Sequence, residues 1–163
     1  MLFRSYTDTD WAGCAKTRKS TSGGAIVLGK HLVKSWSSTQ SEVALSSGEA
    51  EYYGLVKGAS EGMGMKSLLQ DLNAPIGRIV IHGGSSTAIS IADRRGLGKV
   101  RHIEVNQLWV QEKVENKVIE LNQVKGVDNL ANALTKYVDG KDTQMHMAGT
   151  NCIIMAGRHE IMP

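Results

Sequence analysis

Apolar and polar positions change their period several times along the chain, and each change marks a predicted element. Leu2 to Tyr6 leans apolar and runs into the acidic stretch Thr7 to Asp10, which predicts a strand ending in a polar tip. Lys16 to Ser22 is polar throughout and predicts a loop. Ala25 to Leu28 and His31 to Trp36 are β-rich runs on either side of Gly29-Lys30, the pattern of a hairpin. From about Glu42 to Leu72 the apolar residues Val43, Ala50, Leu55, Ala59, Met63 and Leu69 follow helical spacing. Gly54, Gly58 and Gly62 recur every four residues on one face of that helix, a stripe that lets it lie close against a sheet. The interspersed Glu51, Lys57, Glu61 and Lys66 exclude a membrane-spanning reading of the stripe.

Arg78 to His82 predicts a buried strand, and Gly83 to Ser86 leads into a helix near Thr87 to Arg95. A second helix is predicted from about Ile103 to Asn116, a strand over Val118 to Val124, and a short last helix over Leu130 to Tyr137. Beyond Asp139-Gly140 the pattern dissolves, so residues 140–163 read as a C-terminal tail, ordered only if something docks on it. The order βββαβααβα over residues 1–139 is an α/β sandwich with one mixed sheet.

Composition narrows this picture. At 163 residues, 41% hydrophobic and 21% charged, the chain fits one domain with a core, not a disordered, collagen-like or coiled-coil chain. Eighteen Gly against one Phe points to close backbone packing over large rings. Cys14 and Cys152 form no C-x-x-C pair, so neither a zinc site nor a disulfide scaffold is indicated. A reduced, intracellular protein is expected, its compartment open. The first residues lack the apolar stretch of a signal peptide, and no run of about 18 apolar residues suggests a membrane partner.

Net charge is only +3, so the placement of charges matters more than their sum. Asp8 and Asp10 share a strand face, whereas Glu49 and Glu51 point about 200° apart on a helix and cannot both face one site. One acid from the strand tip and one from the helix could hold a divalent metal; otherwise these are solvated surface acids. Arg94, Arg95, Lys99, Arg101 and His102 lie in RRGLGKVRH, and Lys16, Arg18 and Lys19 in a separate loop. If the two loops face one side they form a track for a phosphate backbone; otherwise they are solvated faces. Gly83 to Ser86 lacks a complete phosphate-loop motif and reads as a plain strand-to-helix turn, with a small phosphate ligand as the lesser alternative. The five histidines show no metal-ligand spacing. Trp36 and Trp109 suit a core or its edge, and Trp11 suits either a core edge or a stacking platform.

YTDTDWAG at Tyr6 to Gly13, KSTSGG at Lys19 to Gly24, SWSSTQ at Ser35 to Gln40, VALSSGEAEYYGL at Val43 to Leu55, VRHIEV at Val100 to Val105 and DNLANALTK at Asp128 to Lys136 occur in order over residues 3–139. Together they resemble the ribonuclease H domain of copia-type LTR retrotransposon Pol polyproteins. The resemblance implies the ribonuclease H fold, a five-stranded mixed sheet with helices on both faces. It also implies four carboxylates holding two Mg²⁺ or Mn²⁺ ions for cleavage of RNA in RNA–DNA hybrids. The family's first two acids fall on Asp8 and Glu51; the third and fourth positions are Gly84 and Asn132. Glycine offers no ligand and asparagine one neutral carbonyl oxygen, so both metal positions are weakened. Asp10 and Asp128 are conceivable substitutes, but neither stands where Gly84 would have to reach.

Two readings follow. One is an active Mg²⁺-dependent ribonuclease H using Asp8 and Glu51. The preferred one is a retroelement-derived domain that keeps the fold, is catalytically impaired, and requires no cofactor. It would bind RNA–DNA hybrid or other nucleic acid, or serve as a structural subunit docking a protein partner through its Met-rich tail. A Met directly before the domain, with no reverse transcriptase segment ahead of it, motivates the second reading.

Overall fold

The computed structural model describes residues 2–98 and 102–153. Three antiparallel strands come first: β1 (Phe3–Asp10), β2 (Thr21–Leu28) and β3 (His31–Thr39), the last two joined by a turn with Gly29 at φ +64°. Only a residue without a side chain adopts that φ freely, which explains the glycine of the hairpin signal. Helix α1 (Ser47–Asp71) is followed by β4 (Ile79–Gly83), α2 (Ser86–Asp93), α3 (Trp109–Glu115), β5 (Ile119–Gln123) and α4 (Gly140–Gly149). The sheet order is β3-β2-β1-β4-β5, with β1, β4 and β5 parallel to one another.

Alternation along β1 divides its side chains between two layers. Phe3, with Ile26, Ile79 and Ile81 from the neighbouring strands, meets Tyr52, Leu55, Ala59, Ile91 and Val110 of α1–α3 in the main core. Tyr6 and Val27 pack on the other face with Leu130 and Ala131. The glycine stripe brings α1 onto β1 as expected. A Cβ on Gly54 would come within 2.5 Å of Thr9 Oγ1, and one on Gly58 would fall on the Thr7 methyl.

Ser46 starts α1 because its hydroxyl accepts from Glu49 N–H at 3.2 Å, so the helix begins at Ser47 and not near Glu42. The helix predicted from Ile103 is confined to Trp109–Glu115 and preceded by a single 3-10 turn, Val105–Gln107. The helix predicted over Leu130 to Tyr137 is replaced by 3-10 turns at Gly126–Asp128 and Asn132–Leu134. The cause is Asn129, fully buried: its side chain donates to Thr7 O at 2.9 Å and accepts from Ala131 N–H at 3.1 Å. That local bond competes with helical pairing.

Residues 140–153 dock on the chain itself. Asp139 caps α4 by accepting from Asp142 N–H at 2.7 Å, His146 is buried, and Leu32 N–H donates to Thr150 O at 3.2 Å. No described helix is long and apolar enough to cross a membrane.

Candidate functional site

β1 and β4 end side by side, and α1 starts at the same end of the sheet, because each parallel crossover returns the chain to it. Asp8 is the third residue from the end of β1 and is 7% exposed. Thr135 Oγ1 donates to Asp8 Oδ2, and Lys136 Nζ lies 3.9 Å from the same oxygen. Glu51, in the second turn of α1, is close enough to Asp8 for the two charges to oppose one another. Burial first, and Asp8 second, push the Glu51 carboxyl up to about 8, while Lys136 acts the other way. Strand and helix thus bring together the two acids on which the family resemblance had placed the first two ligands.

Glu49 points elsewhere, as the helical angle required. It is 2% exposed and accepts from Leu45 N–H at 3.0 Å and Tyr53 O–H at 2.8 Å, with His102 Nε2 at 2.7 Å. His102, a candidate for nucleic-acid contact, is therefore engaged with a buried carboxylate 53 residues away. No local spacing could have shown that pair.

Gly84 follows β4, with nothing within 4 Å of where a Cβ would stand. Asn132 lies in the turn whose backbone carbonyl accepts from Thr135 Oγ1 at 3.1 Å, and its side-chain Oδ1 is buried with no hydrogen-bond partner. Asp10 lies against Gly13, and Asp128 is exposed in its own turn. Among the described residues, no three His, Cys, Asp or Glu side chains form a group able to hold a metal ion. Ser85 accepts from Ala88 N–H at 3.2 Å as the cap of α2, which gives the Gly83 to Ser86 turn a structural role.

The basic candidates separate. Lys16 and Arg18 are exposed and Lys19 half-buried in the loop that leaves β1 at the Asp8 end. Arg94 and Arg95 lie at the far end of α2 from Gly84; Arg94 donates to Leu97 O at 2.6 Å and Arg95 pairs with Glu115. Lys99 and Arg101 fall outside the described residues.

Two features escaped sequence reasoning. His82 stacks on Tyr6 with ring centroids 4.6 Å apart, and burial, then Arg4, push its imidazole pKa down. A polar groove of about 540 Å³ runs over α1 between Ser38, Gln40, Lys57, Gln107 and Trp109; neither Asp8 nor Glu51 lines it.

No protein-family profile matches the chain. It is 30% identical over 138 residues to the retrovirus-related Pol polyprotein from transposon TNT 1-94 of Nicotiana tabacum, an alignment covering 84% of the chain and 10% of that protein. The chain thus spans about a tenth of the length of this relative. Among solved structures, the N-terminal ribonuclease H domain of a Mycobacterium tuberculosis protein superposes with a TM-score of 0.57 at 15% identity, covering 92% of this chain and 96% of that one. A ribonuclease H1 in complex with an RNA/DNA hybrid superposes at 0.51 with 14% identity, covering 82% and 93%. At such identities the structural likeness speaks for the fold alone.

Proposed function

The chain is a ribonuclease H-like domain of the retrovirus-related Pol polyprotein family of transposons, and from that premise we propose that it binds nucleic acid but is impaired in metal-dependent hydrolysis. The observation that carries the reading is the pairing of open space at Gly84 with an unpartnered amide oxygen at Asn132, the two positions where the family resemblance implies carboxylates. The remaining donors do not fit two divalent cations. Hard cations require several anionic oxygens. Here Asp8 is already engaged by a hydroxyl and an ammonium, and burial together with Asp8 raises the Glu51 carboxyl to about 8.

What the residues do without metal follows from their contacts. Thr135 and Lys136 fix and neutralise the Asp8 carboxylate. A phosphate backbone passing this end then meets less repulsion than two free carboxylates would exert. The hybrid held by the solved ribonuclease H1 supports a nucleic-acid partner for this fold, and the basic loop beside β1 supplies the attraction.

Calorimetric Mg²⁺ titration and cleavage of a labelled RNA–DNA hybrid test the proposal on the native chain, on Asp8→Asn and on Gly84→Asp combined with Asn132→Asp. The expected result is no cleavage by the native chain above the Asp8→Asn background, with Mg²⁺ binding and cleavage gained in the double variant. Cleavage by the native chain well above that background would overturn impairment.

A further inference from the structure

The end of the sheet where β1 and β4 finish also carries two exposed aromatic side chains. Trp11 follows β1, three residues beyond Asp8; its Nε1 donates to Ala44 O at 3.1 Å, yet the residue stays 48% exposed. That bond holds a partly exposed ring in place. Tyr137 is fully exposed, two residues beyond Thr135, whose hydroxyl donates to Asp8. Chain reach alone keeps Trp11 within about 11 Å of Asp8 and Tyr137 within about 7 Å of Thr135.

Cations accompany the rings. Lys16, Arg18 and Lys19 continue the Trp11 loop and form no ion pair among the described residues, whereas Arg95 is paired with Glu115 elsewhere. Lys136, which precedes Tyr137, is paired with Asp8 at 3.9 Å. The acids Asp10 and Glu42 at the same end limit the number of phosphates that can be held, which shifts the weight of recognition from charge to stacking.

We propose that this end binds single-stranded nucleic acid, with unpaired bases stacking on Trp11 and Tyr137 and the backbone following Lys16, Arg18 and Lys19. The inference rests on the nucleic-acid reading above and adds the strand state. A duplex keeps its bases stacked on one another and offers their faces only at its ends. A single strand presents one face per nucleotide, and any base can lie on an exposed ring.

Fluorescence anisotropy of the whole chain decides this, using labelled oligo(dT) and oligo(U) of about 15 nucleotides against an RNA–DNA hybrid of the same length. The single strands should bind at least about tenfold more tightly than the hybrid, and Trp11→Ala and Tyr137→Ala should each weaken them about tenfold without changing hybrid affinity. Three cations predict a slope of log K against log salt of about −2. Should Trp11→Ala lower the melting temperature, Tyr137→Ala carries the test, since that side chain is fully exposed. Hybrid affinity equal to or above that of the single strands, with both aromatic variants neutral, would overturn the strand preference and leave the nucleic-acid reading standing. Absence of binding to every probe would overturn both.

Discussion

Gly58, midway along α1, has no room for a side chain because the Thr7 methyl occupies the place of its Cβ, whereas Gly84, directly after β4, has nothing within 4 Å of the same point. The first glycine is required by packing: helix and strand approach until only a hydrogen fits. The second is not required by space or by backbone angle, since its φ is not positive. Two asparagines repeat the contrast. Asn129 bonds Thr7 O and Ala131 N–H from full burial, while the Oδ1 of Asn132, three residues on, bonds nothing. The α1–β1 contact is fixed by many mutually dependent groups; the end of the sheet is not. A domain built this way can lose metal ligands without losing its architecture.

The largest expected effect lies in the packed region. Gly58→Val should cost about 3 kcal/mol through overpacking against Thr7, a fall in Tm of about 10 °C. Gly84→Ala should stay within about 0.5 kcal/mol. Equal losses at the two sites, measured by thermal unfolding, would break the contrast.

Next comes the pH dependence of Glu51. Its carboxyl is raised from an ordinary 4.5 to about 8, so the folded chain holds this proton more tightly than the unfolded chain does. The stabilisation is complete below about pH 4.5 and is lost as pH climbs through about 8, an amount on the order of a few kcal/mol. Glu51→Gln cannot titrate and should flatten the fall of stability between about pH 5 and 8. Parallel pH profiles for the two proteins would show that Glu51 is not so displaced.

The asparagine pair gives the smallest and most discriminating difference. Asn129→Ala should cost about 2 kcal/mol by stranding two buried backbone groups, and Asn132→Ala well under about 1 kcal/mol, because an acceptor without a partner is removed. Chemical denaturation of both variants reads the difference. A costlier loss at Asn132 would reveal a partner for its oxygen.

Local patterns disclosed the packed region well. The four-residue recurrence of Gly54, Gly58 and Gly62 states in one dimension that a single helix face has no side chains, and the contacts with Thr9 and Thr7 follow. Gly29-Lys30 announced the hairpin by the same logic, through a backbone angle. The helix period separated Glu51 from Glu49, whereas Asp8 and Asp10 share a strand face and only the family resemblance distinguished them. The remainder depended on distant partners. Asn129 replaces a helix by turns through a bond to Thr7, 122 residues earlier. Helix α4 lacks a broad apolar stripe; it is placed by an Asp139 cap, buried His146 and the close fit of Gly149 against Leu130. The two basic loops looked equivalent in sequence; among the described residues, Leu97, Glu115 and Glu49 engage Arg94, Arg95 and His102 of the second one.

The Asn129–Thr7 bond also imposes an order in time. β1 is the first strand made, and the hairpins that join it to β2 and β3 are local, so that half of the sheet can form as soon as it is synthesised. Its other flank waits for β4, and the turn beneath Asp8 waits for Asn129. At ribosomal speeds a gap of 122 residues lasts on the order of ten seconds. The flank of β1 that receives β4 waits a shorter time, since Val80 lies 76 residues after its partner Arg4. Assembly of the Asp8 environment therefore follows the strands, and a nascent chain halted before residue 129 would hold a formed hairpin sheet with an unfinished site.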